Sequence, residues 1–114
     1  MSILIVTLSY GNWEEIKRLC YCNCWNKIIF VTTKNIKFNI RNKETYFVIV
    51  DKRDFEDMVN YLKEKLNDLI DEFEIGLNIF LGDGKLHMAL ISSLLSLGIS
   101  INFVGIKENK IIFF

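Results

Sequence analysis

The 114-residue sequence has no proline, a single histidine, three cysteines and no excess of either charge, with 14 Lys and Arg against 14 Asp and Glu. Each scarcity closes off a class of function. A zero net charge with no long run of one sign argues against a protein that coats DNA or RNA, because such proteins carry a basic face. No direct DNA binding is expected, and a small anionic ligand held by a few residues stays open. The apolar run Ile3 to Val6 is too short for a secretory leader and has no basic residues before it. No stretch is long enough to span a membrane, so a cytoplasmic protein without a membrane partner is expected. Cys20, Cys22 and Cys24 read C-x-C-x-C, tighter than the usual zinc spacings, and His87 is distant in sequence. The expectation is therefore no metal, no cofactor and reduced thiols at a helix end, and the odd count speaks against a disulfide framework. The missing proline accompanies abundant Ile, Lys and Asn, a codon bias with no bearing on function.

What is present is enough for a core. The chain is 51% hydrophobic and 25% charged, and its length suits one domain, residues 1–114. Ile3 to Leu8 is a nearly continuous apolar run, as in a central strand buried on both faces of a parallel sheet. It ends in Ser9-Tyr10-Gly11-Asn12. Asn12 with Glu15 three residues on resembles a capping box for a helix from Trp13 to Cys22. Lys27 to Thr32 is a second strand. Residues 34 to 44 are polar with Ile36, Phe38 and Ile40 alternating, which predicts a small extra strand or an extended connection. Thr45 to Val50 is a third strand. Asp54, with Asp57 three positions on, caps a long helix running to Phe73. Its apolar stripe reads Phe55, Met58, Val59, Leu62, Leu66, Leu69, Ile70 and Phe73, and Gly76 closes that region.

The centre of the chain is residues 75 to 104. Leu77 to Leu81 is a short apolar run that stops at Gly82-Asp83-Gly84, a helix pattern begins at Leu86, and Gly98 stands where a helix-ending glycine belongs. Ile99 to Val104 alternates as a half-buried strand. Gly105 to Asn109 reads as a hairpin connection into a last strand, Lys110 to Phe114. Four terminal apolar residues must be covered, inside the sheet or by a second subunit. Alternating strands and helices imply an α/β fold, a Rossmann-like, mostly parallel sheet flanked by helices, with a C-terminal antiparallel hairpin. In such sheets ligands bind outside the carboxyl ends of the strands. Both turns, Ser9 to Asn12 and Gly82 to Lys85, fall at that edge. Free N–H groups at a helix start, together with Lys85, suit an anion. The spacing matches neither the P-loop nor the dinucleotide fingerprint, and from spacing alone a plain tight turn with a solvated lysine is the better reading.

Taken together, Leu8-Ser9-Tyr10-Gly11-Asn12, the long helix, the loop Leu81-Gly82-Asp83-Gly84-Lys85-Leu86-His87-Met88-Ala89 and the terminal hairpin resemble a CARF domain, the Rossmann-like sensor of CRISPR systems. The usual loop of that family reads close to T-G-G-T-K-x-M. Gly82, Gly84, Lys85 and Met88 follow it loosely, Asp83 departs, and the second helix of the family pattern is absent around residues 34 to 44. The resemblance implies a homodimer that binds a cyclic oligoadenylate, cyclic tetra- or hexa-adenylate, across its two-fold axis. The contacting residues would be Ser9, Tyr10, Gly11, Asn12, Gly82, Asp83, Gly84, Lys85 and His87. Most members carry an effector domain after this one. This sequence stops after the hairpin and so is similar to the stand-alone ring nucleases, which cleave the messenger without a metal and leave a 2′,3′-cyclic phosphate. Ser9 and Lys85 would then be catalytic, with His87 either an acid or base or a structural residue, and Tyr10 and Trp13 available to stack on adenine. The alternatives are a sensor that binds without turnover and an interaction subunit in which the loop is only a turn. A flavodoxin-type nucleotide binder fits less well, because its phosphate loop is richer in Ser and Thr.

Overall fold

The structure is a computed structural model that describes residues 1–51 and 54–114. Among the described residues it holds six strands and three helices in the order β1 (Ile3–Leu8), α1 (Glu14–Cys20), β2 (Lys27–Thr32), β3 (Glu44–Ile49), α2 (Phe55–Leu69), β4 (Glu74–Asn78), α3 (Gly84–Ser96), β5 (Ser100–Lys107) and β6 (Lys110–Phe113). The strands form one sheet in the order β3-β2-β1-β4-β5-β6, parallel except for β6. This is the expected α/β fold with its antiparallel terminal hairpin. All six residues of β1 are buried, as a strand with neighbours on both edges and cover on both faces requires.

Alternation along the strands divides the core in two. Ile3, Ile5, Ile29, Val31, Ile75 and Leu77 point to one face, where Met58, Leu62 and Leu66 of α2 and Leu86, Leu90 and Leu94 of α3 cover them. Leu4, Val6, Leu8, Ile28 and Phe30 point to the other, against Ile16, Leu19 and Cys20 of α1. The segment between β2 and β3 forms no strand. It is an extended connection whose Ile36 and Ile40 are buried on the α1 face, and whose Phe38 stacks on Trp13 at 5.3 Å and tilts against Phe30 at 5.0 Å. These side chains cover the area a crossover helix would otherwise cover.

Several boundaries differ from those read in the sequence, each for a local reason. Helix α1 starts at Glu14 with Trp13 at its cap, because the Asn12 side chain takes the nearer Glu14 N–H at 3.0 Å in a local turn and does not cap the helix. Helix α2 does begin at Asp54, whose carboxylate accepts from the Asp57 N–H at 2.9 Å. It stops at Leu69, so Phe73 lies beyond the stripe and is exposed. Strand β4 ends at Asn78, and Gly105 belongs to β5. The hairpin turn is therefore only Glu108-Asn109, both at positive φ (52° and 61°), the backbone that matches strand twist in a two-residue turn. Gly98 ends α3 as expected. Its φ is 75°, its N–H reaches the Leu95 carbonyl at 3.0 Å, and the Ile99 N–H reaches the Leu94 carbonyl at 3.0 Å, the Schellman arrangement.

Gly76 does not close a helix. It sits inside β4 under the fully buried Trp25, and a Cβ there would lie 2.5 Å from Cη2 of the indole. Gly76→Ala should therefore destabilise the fold by about 1–3 kcal/mol through overpacking, read from urea unfolding. In a Trp25→Leu background the same change should cost measurably less, since the ring it strikes is gone.

Candidate functional site

The strand order reverses between β1 and β4: the chain proceeds from β1 outward through β2 and β3, then crosses to β4 and continues the other way. Crevices in open α/β sheets form at such a point, outside the carboxyl ends of the diverging strands. Strand β1 pairs with β2 as far as Leu8↔Thr32 but with β4 only to Val6↔Asn78. The missing rungs leave Thr7 facing a gap, and the loop after β4 fills it.

Two donors meet one acceptor in that gap. The Thr7 hydroxyl donates to the Leu81 carbonyl at 2.5 Å, and Nε2 of His87 lies 2.7 Å from the same oxygen. A carbonyl only accepts, so Nε2 of His87 carries a proton and Nδ1 is the nitrogen left for acid–base work. Gly82 follows at φ 94°, where a Cβ would stand 3.2 Å from His87 Nε2 and 3.6 Å from Thr7 Cβ. Both the backbone angle and the space call for glycine. Gly11 (φ 151°) brings the first turn against the second, since its missing Cβ would be 3.8 Å from Leu81 Cδ2. The first turn is held from within by the Trp13 indole, which donates to the Ser9 carbonyl at 2.7 Å.

The nine residues singled out from the sequence, Ser9, Tyr10, Gly11, Asn12, Gly82, Asp83, Gly84, Lys85 and His87, thus lie on two joined loops at one edge. Their individual placements differ. Tyr10 is exposed, with the Lys34 ammonium 5.9 Å from its ring centroid. Asp83 caps α3, its carboxylate accepting from the Leu86 N–H at 2.8 Å. One helix-terminal donor is therefore already taken by a fixed negative charge. Gly84 faces open space, with nothing within 4 Å of where a Cβ would be. Lys85 is exposed and stands near the start of α2, where its charge helps hold the Asp54 carboxyl below its ordinary range, after the larger effect of the Asp57 N–H. Asn12 spends its side-chain oxygen on the Glu14 N–H. Sequence reading missed Thr7, Lys34 and Asn78. Asn78 is buried, donates to the Val104 carbonyl at 3.0 Å and accepts from the Phe80 N–H at 3.2 Å, so it fixes where the second loop leaves the sheet. A polar residue interrupting an apolar strand was the available signal for Thr7 and Asn78.

A groove of about 820 Å³ lies elsewhere, between α1 and the β5–β6 turn, lined by Lys17, Arg18, Tyr21, Cys22 and Lys110 among others. Arg18 there is tied to Glu14 at 2.6 Å. The switch-point edge has the converging polar groups, and it is the candidate by chemistry. Cys22 and Cys24 line that groove. Cys20 is buried, Cys24 is exposed and Cys22 is between, and the Lys43 ammonium donates to the Cys22 carbonyl. Among the described residues no three His, Cys, Asp or Glu side chains converge to hold a metal, and no helix is long and apolar enough to cross a membrane. No protein-family model matches the sequence, and no curated protein matches it.

Two measurements follow from this geometry. His87→Ala removes one of the two donors to Leu81 and should cost on the order of 1 kcal/mol in urea unfolding, with faster amide exchange in residues 79–83. Iodoacetamide at pH 8 should modify Cys24 and Cys22 in the folded protein and spare Cys20 until urea is added, because burial pushes the Cys20 thiol up to about 12 and only the thiolate reacts.

Proposed function

We propose that this chain is a CRISPR-associated protein of the CARF type that binds a cyclic oligoadenylate, cyclic tetra- or hexa-adenylate, as a cytoplasmic homodimer. One observation carries the reading. Two turns 70 residues apart in sequence, which both carry the resemblance to that family, are joined at the strand-order reversal through Thr7, Leu81 and His87. The resemblance supplies the ligand class, and the geometry supplies a single edge on which its phosphates and bases would lie.

Each residue then has a chemical part. The start of α3, with the positive charge of Lys85, receives a phosphate. Tyr10, with Lys34 beside its ring, offers a face for an adenine. The Asp83 carboxylate repels phosphate and accepts instead from an adenine amine or a ribose hydroxyl, which sets where each nucleotide part sits. Binding without turnover is the first reading. In the second, a ribose 2′-OH attacks its own 3′ phosphate, a 2′,3′-cyclic phosphate forms, and the 5′ oxygen leaves with a proton. For that step Ser9 would orient the ribose and Lys85 would take up charge on the phosphoryl oxygens. His87, with its Nε2 proton committed to Leu81, serves as a positioning residue for the loop.

The test is to add cyclic tetra-adenylate and cyclic hexa-adenylate in EDTA, reading melting temperature and, by mass spectrometry, the state of the ring. A ligand at 100 times its Kd stabilises by about 2.7 kcal/mol, a rise on the order of 10 °C for a domain of this size. Lys85→Ala should weaken binding by roughly 10-fold or more, the worth of a charge-assisted hydrogen bond. Asp83→Asn keeps a capping oxygen and should tighten it. Intact rings mean a sensor. Linear products ending in a cyclic phosphate mean a ring nuclease, with Ser9→Ala slowing turnover. No shift with either ring, for folded protein, removes the proposal in favour of an interaction subunit.

A further inference from the structure

The charges of the chain cancel in sum but not in space. Residues 34–43, which pack on the α1 side of the sheet, carry Lys34, Lys37, Arg41 and Lys43 and no acid. On the other side α2 carries Glu56, Asp57, Glu64 and Asp68 against Lys63 and Lys65. The groove between α1 and the β5–β6 turn lies on the basic side. Lys17 and Arg18 line it from α1, and Lys110 lines it from the first position of β6. The one carboxylate among its described lining residues is Glu14, which is held by Arg18 at 2.6 Å. The Lys17 ammonium lies 5.6 Å from the centroid of the Phe38 ring, a contact that leaves its charge uncompensated. Two more cations stand just behind the lining. The Arg41 N–H is 3.5 Å from the Tyr21 hydroxyl, and the Lys43 ammonium donates to the Cys22 carbonyl. The groove thus has ammonium groups on two walls and no acid left to answer them.

Between those walls the surface is apolar. Ile106 and Ile111 pair across the hairpin and lie half-buried against the α1 side of the core. Tyr21 is 49% exposed, so its ring is open to a stacking partner. The volume of about 820 Å³ falls within the roughly 300–1,000 Å³ of small-molecule sites. An apolar floor, an aromatic ring and cations on two sides suit a molecule with a flat body and a concentrated negative charge. A carboxylate carries one charge and answers one ammonium. A phosphate monoester carries close to two at neutral pH and answers both.

From this we infer that the groove between α1 and the β5–β6 turn binds a small aromatic phosphate monoester, at a site separate from the switch-point edge. The phosphate lies between Lys17 and Lys110 in charge-assisted hydrogen bonds. The ring lies on Ile106 and Ile111 beside Tyr21, and the ligand covers Cys22 and Cys24, which line the same groove. This site does not depend on the proposed cyclic ligand and is tested without it.

The probe is 1-naphthyl phosphate at pH 8, followed by amide chemical shifts and by the rate at which iodoacetamide alkylates Cys24. Saturable shifts should appear in residues 17–24 and 106–111, and alkylation should slow several-fold at saturation. 1-Naphthol and inorganic phosphate, the two halves of the probe, should each bind at least roughly 10-fold more weakly, the worth of a charge-assisted hydrogen bond. Lys17→Glu with Lys110→Glu should abolish binding with unchanged far-UV circular dichroism, because both residues are exposed. Should that variant fail to fold, salt added to the wild-type protein serves instead. About 1 M NaCl should weaken the phosphate by at least 10-fold through screening and leave naphthol unaffected. No binding at millimolar probe overturns the inference, as does binding that leaves these residues unshifted. So does naphthol binding as tightly as its phosphate, or phosphate binding that survives the double substitution or the salt.

Discussion

The Leu81 carbonyl accepts from the Thr7 hydroxyl and the His87 imidazole at once, and the candidate site exists because of that shared acceptor. Thr7 is the penultimate residue of the first strand and His87 lies in the first turn of the third helix. One oxygen therefore ties the end of β1, the loop after β4 and the start of α3 into a unit. Buried polar groups in a place of low dielectric are costly if unpaired and firm if paired, and here a buried threonine and a half-buried histidine are both satisfied by the loop they hold. Gly82 suits the corner because its φ of 94° and its closeness to His87 both disfavour a side chain, and Gly11, at φ 151°, brings the first turn alongside Leu81.

The sheet makes that unit possible by ending its strands unevenly. Strand β4 stops beside Val6 while β1 continues to Leu8, and the step provides the room the loop fills. Its faces also differ in what remains open. On the α1 side a chain segment without regular structure completes the cover through Ile36, Phe38 and Ile40. On the other side α2 turns charges to water, while α3 and the last hairpin turn methionine, leucine and phenylalanine to it.

Much of this was legible in the sequence. Buried β1, the alternating strands, the Asp54 cap, the Gly98 stop and the parallel order with a terminal hairpin all follow from periodicity and from residues with one well-defined local use. Both loops of the site were found because glycine next to a strand end is informative. Other features depended on contacts between distant residues. Asn12 looked like a cap and serves a turn. Phe73 completed an apolar pattern but lies past the helix end. Gly76 looked like a stop and is a slot for Trp25, a relation across 51 residues that no local pattern carries. The His87 role was left open between chemistry and structure because nothing in the sequence tells where Nε2 points.

The most direct test of the central claim is hydrogen–deuterium exchange of the whole chain with and without saturating cyclic tetra-adenylate or cyclic hexa-adenylate. Protection should appear in two separated stretches together, residues 9–13 and 82–87, because one edge built from both is asserted to hold the ligand. Protection confined to residues 17–24 and the β5–β6 turn, around the larger groove, would contradict the account, as would saturable binding that leaves both loops exchanging at their free rates.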